Sequence, residues 1–111
     1  MLLQNVIMKG RDNPVEISFS FYEGDFKERG LNTFSEVKVT LGSNTYSTVD
    51  NPDQVYIVNN TDLVLNIGYD PNLTVGTYLP EIIGISNVYT NGYELTGKCK
   101  PILGYLEVKD C

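Results

Sequence analysis

The sequence predicts an all-β protein, a sandwich of antiparallel sheets, from its composition and its hydrophobic pattern. Its 111 residues include eleven Val, eight Ile, nine Thr and eight Tyr but no Ala, and these frequencies favour strands over helices. Several segments alternate apolar and polar residues with a period of two, and turn-forming residues separate them. The length allows one compact domain over residues 1–111 with a single hydrophobic core.

Strand alternation is clearest in residues 15–22, where Val, Ile and Phe side chains share one face and mostly polar side chains take the other. Residues 36–41 and 62–67 alternate in the same way, so each strand is expected to have one buried and one mostly solvated face. With the turns between them, these patterns predict strands at 2–9, 14–22, 34–41, 45–49, 54–58, 62–68, 77–86, 92–97 and 102–109.

The last hairpin is predicted at Asn91-Gly92, between Val88-Tyr89-Thr90 and Tyr93-Glu94-Leu95. This dipeptide tolerates positive φ at both positions and therefore favours a two-residue type I′ turn. Other turn-forming clusters, such as Asn59-Asn60 and Asp70-Pro71-Asn72, separate the earlier strands.

Leu73, Gly76 and Tyr78 form the most specific feature of the chain, because they stand at the entry of a late strand. Immunoglobulin-like sandwiches place a tyrosine corner at this point, in which the phenol hydroxyl bonds to backbone a few residues upstream. We expect Tyr78 to have this structural role, worth about 0.5–1.5 kcal/mol. A role in proton transfer is disfavoured because no His, Lys or metal ligand lies near it in the sequence.

The sequence predicts a non-enzymatic protein with no catalytic, cofactor-binding or metal-binding residues. The chain contains no His, so the usual general base and the commonest metal ligand are both missing. Most Asp residues lie in or beside turns, where Asp bonds its own backbone. No nucleophile elbow, phosphate loop or Cys-x-x-Cys motif occurs. An enzyme that uses paired carboxylates alone is the remaining catalytic alternative.

The charge and the ends of the chain bear on its partners and its location. Fourteen acidic against eight basic residues give a net charge of -6, which disfavours both nucleic acid and an anionic membrane surface. The apolar start has no basic region or cleavage site, so we expect no signal peptide and synthesis in the cytoplasm. Cys99 and Cys111 are expected to be free thiols.

The candidates for partner contact are Leu2, Leu3, Val6, Tyr89, Asn91 and Tyr93. The first three belong to an apolar segment, residues 2–8, which could add to the sheet edge of a neighbouring chain as an arm. The last three surround the tip of the predicted hairpin. Tyr side chains there would either stack on a carbohydrate or stabilise an outward sheet face by about 0.2–1 kcal/mol per pair.

The pattern as a whole resembles the small immunoglobulin-like modules of tailed-bacteriophage virions, found in baseplate, neck and tail-fibre docking proteins. The matching elements are Gly10-Arg11-Asp12 before a strand ending in Phe, a loop, Phe34 with Val37–Leu41, Leu63–Gly68, Leu73–Tyr78 and Gly92–Leu95. Two features depart from the wider immunoglobulin pattern. The Cys pair and core Trp are missing, with Pro80 in the place of the second Cys, and no fibre region follows Val108.

The resemblance implies an immunoglobulin-like β-sandwich of seven to nine strands that acts as a virion adaptor or decoration subunit. Its partners would be other virion proteins or copies of itself in a symmetric homo-oligomer, and it would need no cofactor. The alternative function is a carbohydrate-binding or cell-surface-binding module with Tyr89 and Tyr93 as stacking platforms.

Overall fold

A computed structural model describes residues 6–12, 14–19, 30–97 and 105–110. Within these ranges the chain is all-β, as predicted, with one short 3-10 helix over Gly30–Thr33. The strands are β1 (Val6–Lys9), β2 (Val15–Ser18), β3 (Glu36–Leu41), β4 (Asn44–Ser47), β5 (Val55–Val58), β6 (Asp62–Leu65), β7 (Gly76–Tyr78), β8 (Glu81–Ile85), β9 (Tyr93–Thr96) and β10 (Leu106–Asp110). None of the described residues forms a helix with the length and hydrophobicity needed to span a membrane.

The strands form three sheets, in the orders β1-β10-β7, β2-β6-β5 and β4-β3-β8-β9. Every pairing is antiparallel except that of β1 with β10, which is parallel. Ile7 of β1, Val39 of β3 and Leu63 of β6 are fully buried in one hydrophobic cluster that draws on all three sheets. The sheets therefore enclose a shared core, as in a β-sandwich.

Burial follows the sequence pattern in the strands where alternation was clearest. In β2, Val15 and Ile17 are buried while Glu16 is exposed, and in β3, Val37 and Val39 are fully buried. Because one face of each strand supplies the core, a one-residue change of register would expose this apolar set.

The strand predicted at residues 77–86 is two strands, because the chain changes partners at Leu79-Pro80. Strand β7 pairs with β10, whereas β8 pairs with β3 and β9. Proline has no N–H to donate to a sheet ladder, so a break at Pro80 allows the change without losing a hydrogen bond.

The two-residue hairpin predicted at Asn91-Gly92 is wrong. Residues 88–90 are not a strand, and the connection between β8 and β9 runs from 86 to 92. The Ser86 hydroxyl accepts the N–H groups of Val88 and Tyr89, both at 3.2 Å, and this local bonding competes with strand pairing. Only Gly92 of the dipeptide has positive φ, at 95°.

The turn with two positive φ values lies instead at Asn59-Asn60, between β5 and β6, with φ of 55° and 64°. The Asn60 side chain accepts the Asn32 N–H at 2.6 Å, and its carbonyl accepts the Leu31 N–H at 2.8 Å. The turn is therefore held against the 3-10 helix as well as by its own strands.

Several predictions fall on residues outside the described ranges. These are the strand ends at 2–5 and 20–22, residues 102–104 of the strand predicted at 102–109, the contact candidates Leu2 and Leu3, and the two cysteines, Cys99 and Cys111.

Candidate interaction surface

Tyr78 makes the backbone hydrogen bond on which the corner interpretation depends. Its hydroxyl donates to the Thr74 carbonyl oxygen at 2.7 Å and lies 2.6 Å from the Thr74 Oγ1 atom. Leu73 is fully buried in the core, and Gly76 begins β7 opposite Val108 of β10. The loop before β7 is thus fixed at one end by Leu73 and at the other by the Tyr78 side chain.

The Tyr78 ring also packs on the tight turn between β3 and β4. Gly42 has φ of 62° in this turn, and a Cβ atom there would lie 3.0 Å from Tyr78 Cε1. Glycine is therefore favoured at position 42 by both its backbone conformation and the space available. Asn44 at the start of β4 donates to the Asn72 carbonyl at 3.2 Å, so this turn and the loop before β7 are linked twice.

A polar cluster beside this corner is centred on Asp70. Its carboxylate accepts the Tyr46 hydroxyl at 2.6 Å and the Asn72 N–H at 2.9 Å. Burial raises the pKa of Tyr46 well above its ordinary value, and the hydrogen bond to Asp70 and its negative charge act in the same direction. Burial and the Asp70 carboxylate thus keep the Tyr46 phenol protonated, and the carboxylate fixes the turn at Asp70 and Asn72, so the role of this cluster is structural.

The tip candidates Tyr89 and Tyr93 are half-buried and pack against the core. Their rings meet edge to face at a centroid distance of 5.2 Å, and each lies 6.2 Å from the ring of Phe34. Phe34 in turn covers Gly84, where a Cβ atom would come within 2.5 Å of its ring. This three-ring cluster favours the structural role of the tyrosines, and carbohydrate binding stays a prediction. The third tip candidate, Asn91, is exposed.

The N-terminal candidate Val6 lies in strand β1 and not in a projecting arm. Val6 pairs with Glu107, and the next residue, Ile7, is fully buried opposite Val108. Residues 6–8 are thus part of the domain's own sheet, and the arm interpretation is narrowed to residues 1–5, which lie outside the described ranges.

Strand β5, at one edge of the β2-β6-β5 sheet, offers backbone groups to a further strand. The Asn66 N–H donates to the Gln54 carbonyl oxygen at 2.7 Å. Because hydrogen-bonded pairs alternate along antiparallel strands, the backbone N–H and carbonyl groups of Tyr56 and Val58 also face β6. The backbone groups of Val55 and Ile57 point away from β6. The Val55 N–H donates to Asn51 at 2.9 Å, but no described residue bonds the Val55 carbonyl or either backbone group of Ile57.

The side chains of β5 are apolar on both faces. Val55 and Ile57 face the core, while Tyr56 is 37% exposed on the outer face and Val58 is half-buried beside it. Val64 of β6 lies next to Tyr56 in the register and is only 4% exposed, although it faces away from Leu63 and Leu65. The outer face of this sheet therefore carries an apolar strip that continues to the β5 edge.

Three other sheet edges in the described structure, those of β4, β2 and β1, carry covering contacts or a charge. The Ser47 N–H and carbonyl of β4 are bonded by Asn51, at 3.0 Å and 2.8 Å. Strand β2 carries exposed Glu16, and the backbone of Gly68 lies against that of Met8 in β1. Charges and covering contacts are the usual protection of a sheet edge against further pairing. Among the described residues β5 carries no charged side chain, and of the backbone groups of Val55 and Ile57 that point away from β6 only the Val55 N–H is bonded, by Asn51.

Sequence reasoning did not single out β5, because the segment 54–58 reads as an ordinary strand and its position at an edge depends on distant pairings. The signal available was the composition Val-Tyr-Ile-Val, which combines high β-propensity with no charge. No family model matches this chain, and comparisons with curated proteins and with solved structures find no match either.

Proposed function

We propose that this chain is a non-enzymatic structural or adaptor subunit that acts by protein–protein association in the tail, baseplate, neck or fibre of a phage virion. The observation that carries the proposal is the β5 edge, where uncharged Val55–Val58 presents unbonded backbone groups beside an apolar strip. Such an edge is a template for a strand from another chain.

An immunoglobulin-like assignment of the sandwich is part of this proposal. In that fold strands A, B, E and D make one sheet, and strands C, F and G make the other. Here β2, β6 and β5 have the order expected of B, E and D, while β3, β8 and β9 have the order expected of C, F and G. The hydrogen bond from Tyr78 to Thr74 supports the same assignment.

We take the virion setting from the resemblance of the strand pattern to phage modules. A subunit that is made in the host cytoplasm and incorporated in several copies needs a surface that binds other subunits without catalysis, and the β5 edge would do so by strand pairing. In this proposal Tyr89, Asn91 and Tyr93 form a second contact surface where the chain passes from β8 to β9, and the Phe34 ring packs against the two tyrosine rings.

The proposal is tested on virion particles released from the host that encodes this chain, purified on a density gradient. We expect peptides of the chain to sediment with capsid and tail proteins at a fixed copy number, and to remain after a wash in high salt. Peptides found only at the top of the gradient, with the particles free of them, would reject a virion role.

A further inference from the structure

We propose that β5 pairs in antiparallel fashion with β5 of a second copy of this chain, about a two-fold axis at Ile57. The inference rests on the proposed function and names the edge and the partner. It joins two β2-β6-β5 sheets into one continuous sheet of six strands.

The backbone of β5 is complementary to itself in this register. With Ile57 opposite Ile57 of the other copy, the Ile57 N–H of each copy donates to the Ile57 carbonyl oxygen of the other. Within the single chain no described residue bonds either of these two backbone groups. Because Val58 directs its carbonyl toward β6, the Asn59 N–H points outward, where it meets the open Val55 carbonyl of the other copy. Four inter-chain hydrogen bonds result.

The side chains fit the same register. Residues 56 and 58 become directly opposite each other across the axis, so Tyr56 of each copy packs on Val58 of the other. Tyr56 is 37% exposed in the single chain, and the contact would extend the apolar strip that Tyr56 forms with Val64. Aromatic and β-branched side chains in this arrangement stabilise a pair of strands by about 0.2–1 kcal/mol.

Charge favours β5 as the edge for a second copy. Each copy carries a net charge of -6, so two copies repel, and the repulsion is weakest when the segments that meet carry no charge. Residues 54–61 contain no charged side chain, whereas the edge strands β1, β2 and β9 contain Lys9, Glu16 and Glu94. The edge strands β4 and β7 are also uncharged, but Asn51 bonds the backbone of Ser47 in β4, and β7 has only three residues. The dimer is therefore expected to strengthen as salt screens the remaining repulsion.

An interface limited to one strand from each copy belongs to the small, weak class of specific contacts, below about 1,200 Å². We therefore expect a dimer that depends on concentration in solution and becomes stable only where several contacts act together in an assembly.

The register is tested by disulfide trapping in the full chain with Cys99→Ser and Cys111→Ser. Tyr56→Cys and Val58→Cys variants, each shown to be folded by circular dichroism, are mixed under oxidising conditions. Directly opposite residues in a pair without backbone hydrogen bonds have Cα atoms about 4.5 Å apart, within reach of a disulfide. We expect the mixture to form a covalent heterodimer.

The controls separate this register from random collision. Tyr56→Cys alone places its thiols diagonally, about 7 Å or more apart, and should cross-link much less than the mixture. A mixture of Glu16→Cys and Ser18→Cys, on the exposed β2 edge of the same sheet, should give only the background yield. A heterodimer yield equal to that background overturns the inference.

A second variant keeps the inference separate from the proposed function. Tyr56→Lys places a charge at the β5 edge and should abolish the concentration-dependent dimer in sedimentation velocity, whereas Ser18→Lys, with the same change of charge at β2, should leave it intact. Dimers that survive Tyr56→Lys, or a chain that stays monomeric at every concentration, overturn β5 pairing. Virion incorporation of the wild type is judged independently by the gradient experiment.

Discussion

Tyr78 illustrates how one side chain can fix two loops. Its hydroxyl bonds to Thr74 and its ring rests on Gly42, so it joins the loop before β7 to the turn between β3 and β4. The two contacts use different parts of the residue, and substitutions can therefore separate them.

Tyr78→Phe removes the hydroxyl and keeps the ring on Gly42. We expect the free energy of unfolding to fall by about 0.5–1.5 kcal/mol, the usual net contribution of a hydrogen bond. Urea titration of the variant and the wild type measures the difference. Tyr105→Phe is the matched control because Tyr105 is 63% exposed, and it should unfold like the wild type. Equal behaviour of the two variants would contradict a specific role for the Tyr78 hydroxyl.

The raised pKa of Tyr46 makes stability depend on alkaline pH. The folded chain keeps the Tyr46 proton above pH 10.0, the ordinary pKa, whereas the unfolded chain releases it. The unfolded state then binds fewer protons than the folded state, so this group makes the free energy of unfolding decline as the pH rises above 10.

Tyr46→Phe should therefore make the wild-type decline between about pH 10 and 11.5 shallower. At neutral pH the variant should be less stable by about 1.5–3 kcal/mol, because the hydrogen bond to the Asp70 carboxylate is lost. Urea unfolding at a series of pH values measures both effects. The free energy of unfolding of the variant could instead be lower at neutral pH and still decline with pH as steeply as that of the wild type. This result would show that Tyr46 has the same pKa in the folded and unfolded states, and it would contradict the account.

Among the elements, the strands with one fully apolar face were predictable from local pattern. The alternation in β2 and β3 is the direct consequence of packing one face on a core, so sequence and burial agree there. In β6 the predicted mostly solvated second face is wrong, because Val64 is buried as well as Leu63 and Leu65. The break at Pro80 and the edge position of β5 depend on which strands meet, and local periodicity does not encode that. The corner at Tyr78 was accessible because its signal is local.

The two asparagine turns show a limit of dipeptide rules. Asn91-Gly92 has the stronger hairpin propensity, yet the bonds to Ser86 set a longer connection. Asn59-Asn60 adopts two positive φ values because β5 and β6 fix its ends and the 3-10 helix binds Asn60. Tertiary contacts therefore determine which dipeptide adopts two positive φ values, and it is the one with the lower intrinsic hairpin propensity.

Substitutions at Asn60 separate its conformation from its hydrogen bond. Asn60→Gly keeps positive φ accessible and should lose only the side-chain bond to Asn32, about 0.5–1.5 kcal/mol. Asn60→Ala should cost about 1–2 kcal/mol more because alanine disfavours this conformation. Thermal and urea unfolding rank the variants, with Asn91→Ala as a control near wild type. An Ala variant as stable as the Gly variant would contradict the turn conformation.

At the scale of the whole molecule, several sheet edges among the described residues are covered or charged, whereas the backbone groups of Ile57 at the β5 edge have no described partner. The Asn51 contacts cover part of β4 and the Gly68 backbone lies against β1, and in our proposal further pairing takes place at β5. In our proposal the net charge of -6 keeps the chain dispersed at low concentration, and two copies meet at the uncharged strand β5.

Amide hydrogen exchange along β5, measured at several protein concentrations, tests this account most directly. In dilute solution the Ile57 amide should exchange rapidly, while the Tyr56 and Val58 amides, which face β6, should be protected. At high concentration and raised salt the Ile57 amide should become protected too. Rapid exchange at Ile57 under all conditions, or protection already complete in the dilute monomer, would contradict an open edge that recruits a second copy.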